Sequence, residues 1–398
     1  MKYIFYVYLL PVFVYTQTLD TLIQRGIKHN PLLHAFDAKI QSIESQADKV
    51  AFLPDPSVEA TYFTNEIITA NGPQTAQFML KQTFPWFGSL SAKEASVRAS
   101  SKIIMEKKKL ATLQLIFQIK SNYYKLAAVQ KKNRLLSDYI SLLNNFYAST
   151  LSRYTHGNGM QQDILKVQTE LSSIKSRQLG LSSLRAHLSS QLNYLSYTEW
   201  DSVRATFPKD SLILKTDLNI QQNHLIKSLY SKKKQLQLLQ KYVQKSALPK
   251  LSFALKYHLI NEKTSVLENK DAFGISIGAS LPLWIGKYAS EEEQYEQQEL
   301  ETDYIIRDQE KKQTEAIRYL AYAIAEKQER LRIYQTDLIP KAQLTLKSSM
   351  NAYETGKQSF LNLLDAQRML LNLQLEEISI QESLYLTYSE YQKETSSL

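Results

Sequence analysis

The chain has no cysteine in its 398 residues. That excludes disulfides, thiolate chemistry and cysteine-based metal sites together, and with them a cysteine-borne N-terminal lipid. Glycine and proline are scarce, ten of each. Beyond residue 17 no stretch approaches the run of about eighteen apolar residues from which a membrane-crossing helix is read. Catalytic signatures are missing too: there is no Walker-type glycine-rich loop, no H-E-x-x-H and no G-x-S-x-G. The six histidines are scattered, and His29 and His34 read as surface residues. No enzyme activity, cofactor or metal centre is expected. The net charge of +9 would allow a nucleic-acid partner. However, the basic residues come singly or in short runs such as Lys107-Lys108-Lys109, the pattern of solvated helix faces, so no nucleic acid is expected.

What is present begins with residues 1–16, which read as an export signal. Lys2 supplies a short charged start, residues 3–15 are almost wholly apolar, and Thr16 offers a small residue before Gln17. The run is too short to cross a bilayer as a helix, and Pro11 in its middle weighs against a buried first helix. An exported chain without a membrane helix is periplasmic, secreted, or inserted as a β-barrel.

The few glycines and prolines divide the rest. None falls between Ser89 and His156, and only Pro340 falls between Lys287 and Thr355. Each interval allows a helix of roughly 100 Å at 1.5 Å per residue, which needs partners along its whole length. Leu135, Tyr139, Leu142 and Phe146 repeat at coiled-coil spacing, and Leu364, Leu371, Ile378 and Tyr385 fall at sevens, so these helices should lie side by side.

Two breaks in the helical text read as strand pairs. The first pairs 57–64 with 76–84 across a turn containing Asn71-Gly72-Pro73. The second pairs 251–260 with 272–281 across the polar segment 261–271. Phe253, Leu255, Tyr257 and Leu259 alternate with Ser252, Ala254, Lys256 and His258, and Phe273, Ile275 and Ile277 alternate with Gly274, Ser276 and Gly278. About ten residues is what a tilted strand needs to cross a bilayer, and the small polar face suits a water-filled lumen.

The halves repeat one another. Leu53-Pro54 and Leu248-Pro249 precede the two hairpins, and Phe84-Pro85-Trp86-Phe87-Gly88 and Leu281-Pro282-Leu283-Trp284-Ile285-Gly286 end them. Tyr154-Thr155-His156-Gly157 matches Tyr353-Glu354-Thr355-Gly356, and Ile164-Leu165, Gln168 and Leu171 match Leu363-Leu364, Gln367 and Leu370 at the same offset. A repeat of half the chain means two copies of one structural unit. The organisation expected is a signal peptide at 1–16 and repeats at 17–200 and 201–398. The first repeat holds a helix, the strand pair 57–84, a long helix 89–155 and a return helix. The second holds a helix, the strand pair 251–282, a long helix 287–355 and a return helix.

In this order, and twice over, these motifs, together with Asn30-Pro31 in the opening segment 19–33, resemble the TolC-like outer-membrane efflux proteins over nearly the whole mature chain. The resemblance implies a mainly α fold with a small β part. Four strands per chain would contribute to a twelve-stranded barrel in a homotrimer, and long coiled-coil helices would form an α-barrel reaching into the periplasm. It implies an exit duct that conducts passively, served by a periplasmic adaptor and an inner-membrane pump and seated in outer-membrane lipid. Physics agrees on closure: four strands cannot enclose a useful lumen, and open edges are intolerable in lipid. A soluble periplasmic coiled-coil adaptor is the alternative, but it leaves the doubled bilayer-length strand pairs unexplained.

The resemblance also assigns residues. Gly157 and Gly356, with Tyr154 and Tyr353, fall at the helix tips that meet the adaptor. Asp163 and Tyr353 match positions that hold the family's tunnel closed. The family's best-known member has an Arg two residues after the second tip glycine, where this chain has Gln358. Asp365 matches an acidic ring at the entrance, and a second acidic position of that ring is Asn362 here. Trp86, Phe87, Trp284 and Tyr288 flank the strand ends, where barrels carry interfacial aromatics.

Overall fold

A computed structural model describes residues 18–70, 72–157, 159–200, 203–208, 212, 220–261 and 271–396. The expected export signal at 1–16 lies outside them, as do Asn71 of the first hairpin turn and most of the second hairpin's connection. The fold is mainly helical with one small sheet. In chain order come α1 (Leu19–His29), α2 (Pro31–Ala51), β1 (Ser57–Thr69), β2 (Gly72–Phe84), α3 (Ser89–Thr155) and α4 (Gln161–Ser196). Then follow α5 (His224–Ser246), β3 (Lys250–Ile260), β4 (Ala272–Ser280), α6 (Ile285–Ile333), α7 (Ile339–Glu354) and α8 (Phe360–Glu394). Among the described residues no helix is long and apolar enough to cross a membrane.

Helix ends follow local chemistry. Thr18 caps α1 by accepting from the Thr21 amide. Asn30, whose following Pro31 starts α2, accepts from the amides of Leu32 and Leu33 at 2.9 and 3.3 Å. The 67 residues of α3 run without a break. The matching helix of the second half does not: a π-helical turn at Tyr334–Leu338 separates α6 from α7 just before Pro340. Proline lacks the amide that would close an α-turn there, and the wider turn absorbs the mismatch. The single long helix expected over 287–355 is therefore two.

The chain divides into two compact units. One takes the described residues of 1–33, 111–219 and 313–398. Its core joins Leu136, Tyr139 and Leu143 of α3, Val167 and Ile174 of α4, and Phe360, Leu364 and Leu371 of α8. The seam of α3 thus runs through Leu136 and Leu143, with Leu135 and Leu142 flanking it. On α8 all four residues expected at sevens, Leu364 to Tyr385, are buried.

The other unit takes 34–110 and 220–312. Ile43, Ala47 and Ala99 are buried there with Ile226, Leu236 and Val243. Arg98 of α3 holds Glu44 and Asp48 of α2, and Lys233 of α5 holds Asp303 of α6 at 2.8 Å. This unit also carries the sheet, antiparallel in the order β1-β2-β3-β4. The first hairpin is longer than the pattern suggested: pairing continues past a register shift between Tyr62 and Ile67 up to Thr69 opposite Gly72.

Candidate channel site

Register fixes which residues share a face of the sheet. Val58 pairs with Leu80, Leu80 with Leu255 and Leu255 with Ile275, and one row along Ala60, Phe78, Tyr257 and Phe273 line up likewise. With Tyr62, Phe253 and Ile277 they make a continuous apolar face. It is bare: Phe273 is 80% exposed, Ile275 79%, Ile277 73%, and Val58 and Tyr62 76% each. A soluble protein seldom leaves so large an apolar patch in water. The opposite face carries Glu59, Gln77, Lys81, Ser252, Lys256 and Ser276. The outer edges of β1 and β4 have no strand beside them among the described residues.

The aromatics expected at the strand ends divide. Phe87 and Trp284 are about four-fifths exposed, whereas Trp86 and Tyr288 are half-buried. Trp86 meets Phe87 edge-on with ring centroids 6.2 Å apart, a favourable arrangement for two aromatic rings.

The two tips are built alike. At the second, the Gly356 amide donates to the Tyr353 carbonyl and the Lys357 amide to the Ala352 carbonyl, the paired closure of a Schellman cap. At the first, the Gly157 amide donates to the Tyr154 carbonyl at 3.0 Å. Gly157 has φ +76° and Gly356 +72°, a region that glycine enters without strain. Gly159, which sequence reasoning passed over, is needed for another reason. A Cβ there would lie 2.9 Å from the Tyr154 nitrogen. The G-x-G spacing of the first tip was the available signal.

Tyr353, Asp163 and Gln358 line one groove of about 490 Å³, together with Arg153, Lys166 and Phe360. Tyr154, Asn362 and Asp365 do not line it, and all three are exposed. The Arg153 guanidinium stacks over the Tyr353 ring at 4.7 Å, and that ring meets buried Phe360 at 5.6 Å. A cation thus reaches the second tip from the first, near Gln358. Asp365 lies 3.7 Å from Arg368, its neighbour one turn on.

Arg368, beside Asp365, is a residue that no motif marked. Its Nε and Nη2 both donate to the buried carboxylate of Glu170, at 2.9 and 2.5 Å, and Tyr139 also donates to Glu170. The hydrogen bond to Glu170 raises the Arg368 pKa further. Burial first, and the Glu170 charge second, push the Tyr139 phenol above its ordinary range.

This arrangement of one four-stranded sheet and long paired helices is a fold already seen in solved outer-membrane proteins. Solved structures of this kind match nearly the whole chain. CusC aligns with a TM-score of 0.81 at 13% identity, covering 96% of this chain and 92% of that one. The outer membrane protein VceC of Vibrio cholerae aligns with a TM-score of 0.77 at 16% identity, covering 95% of each. The CmeC outer membrane channel of Campylobacter jejuni aligns with a TM-score of 0.75 at 15% identity, covering 95% of this chain and 85% of that one. No family model matches the sequence, and no curated protein matches it.

Proposed function

We propose that three copies of this chain form an outer-membrane channel, the passive exit duct of a tripartite efflux or secretion system. The observation that carries this reading is the four-stranded sheet with one contiguous apolar face and, among the described residues, two unpaired edges. Lipid is the solvent that such a face fits, and in lipid every backbone group must be paired. Closure therefore calls for further copies, and three supply twelve strands around a water-filled lumen. The fold shared with CusC, VceC and CmeC supports the same reading.

In this reading the apolar face meets the outer-membrane lipid, with Trp86, Phe87, Trp284 and Tyr288 at its border, and the long helices stand in the periplasm. The tips at Gly157 and Gly356, with Tyr154 and Tyr353, receive a periplasmic adaptor that links the duct to an inner-membrane pump. Asp163 and Gln358 belong to the closure at the tips, and Asn362 and Asp365 face the entrance. The working division into an export signal at 1–16 and repeats at 17–200 and 201–398 completes the proposal. Purified protein in a planar bilayer tests it: stepwise conductance is expected, and its absence in preparations that hold folded protein would refute a channel.

A further inference from the structure

Resting on that channel reading, we propose that Lys81 and Lys256 make the barrel lumen favour anions, so that anionic solutes leave more readily than cations of the same size. The register places both ammonium groups on the polar face: Lys81 pairs with Ala254, and Lys256 with Met79 and Gly274. They are diagonal neighbours on adjacent strands, about 7–8 Å apart at the backbone. Among the described residues neither has a carboxylate within ion-pair distance.

Over the regularly paired stretch the face offers one carboxylate, Glu59, opposite Met79 and two strands from Lys256. Gln77, Met79 and His258 also lie on this face, and most of its other positions are small. Gly274 and Gly278 present no side chain, and a Cβ at Gly278 would lie 2.8 Å from the Ser252 hydroxyl, which would have to move. With Lys250, which pairs with Ser280 at the end of the same face, three lysines stand against one carboxylate per chain and leave a net positive belt, repeated by each copy around the wall.

Ions are screened over about 8 Å at physiological salt, so the belt acts on solutes passing near the wall and its effect fades as salt rises. Charged rings in pores select by this means. The Asp365 carboxylate acts in the opposite sense. The observable is therefore the direction in which the ratio moves, and it is cleanest in an Asp365→Asn background.

The test is the reversal potential of the full chain in planar bilayers under a KCl gradient. The doubly substituted Lys81→Gln, Lys256→Gln protein should lower the Cl⁻/K⁺ permeability ratio by about twofold at low salt, with a smaller change at high salt. Ser276→Glu, a separate substitution on the same face, should move the ratio the same way. Channels whose ratio is unchanged in both variants would overturn the inference alone. No conductance from any of the proteins would overturn the channel reading, and the inference with it.

Discussion

Arg368 on α8 and Glu170 on α4 meet in a two-pronged ion pair, and the same carboxylate takes a third hydrogen bond from Tyr139 on α3. Three helices of one unit are tied at a single buried oxygen pair. Because Arg368 is itself partly exposed, removing one partner should cost about 1–3 kcal/mol rather than the 3–5 of a fully buried pair. Arg368→Leu and Glu170→Leu should each lower the unfolding midpoint, and the double variant should lose less than the sum. Strict additivity in urea unfolding would remove the coupling.

The tip glycines separate strain from collision. Gly157→Ala and Gly356→Ala add a Cβ to open space but demand a left-handed residue, costing about 1–2 kcal/mol locally. Gly159→Ala drives a Cβ into the Arg153–Tyr154 backbone and should reshape the first tip. Binding of the periplasmic adaptor in a pull-down should therefore fall most for Gly159→Ala. Equal binding by all three variants would count against docking at the tips.

In the proposed trimer Asp365 would ring the entrance, and Asp365→Ala should then shift the reversal potential toward Cl⁻, since three carboxylates around a threefold axis favour cations. An unmoved potential would place Asp365 on an ordinary exposed helix face.

A pH dependence follows from Glu106. Its carboxyl is raised by burial, but hydrogen bonds from Lys109 and His224 outweigh that and leave its pKa below the ordinary value. A carboxylate lowered on folding adds stability above its unfolded pKa, and that contribution is lost as pH falls through the folded one. Wild type should exceed Glu106→Gln in melting temperature at neutral pH, and the gap should close as the carboxylate protonates. A gap constant down to strongly acidic pH would rule out the ionised contact.

Much of this fold was legible because its signals are periodic. The alternation of Phe253 to Leu259 with Ser252 to His258 gave the second hairpin almost to its ends, and the doubled tip motif marked both helix turns. The first hairpin was read short because the register shift after Tyr62 breaks the alternation, although pairing resumes at Ile67. Pro340 was visible as an interruption, but where the backbone would yield, at Tyr334–Leu338, is decided by the packed helix around it. The Arg153–Tyr353 stack and the Arg368–Glu170 pair join residues far apart in sequence, and of the four only Tyr353 belongs to a motif. Only the folded chain brings them together.

The central claim is three copies closing one barrel in the outer membrane. Fractionating cells and running the outer-membrane extract unheated in detergent tests it most directly. A detergent-resistant species of three chains in that fraction is the predicted result. A single-chain species in the soluble periplasmic fraction would contradict it.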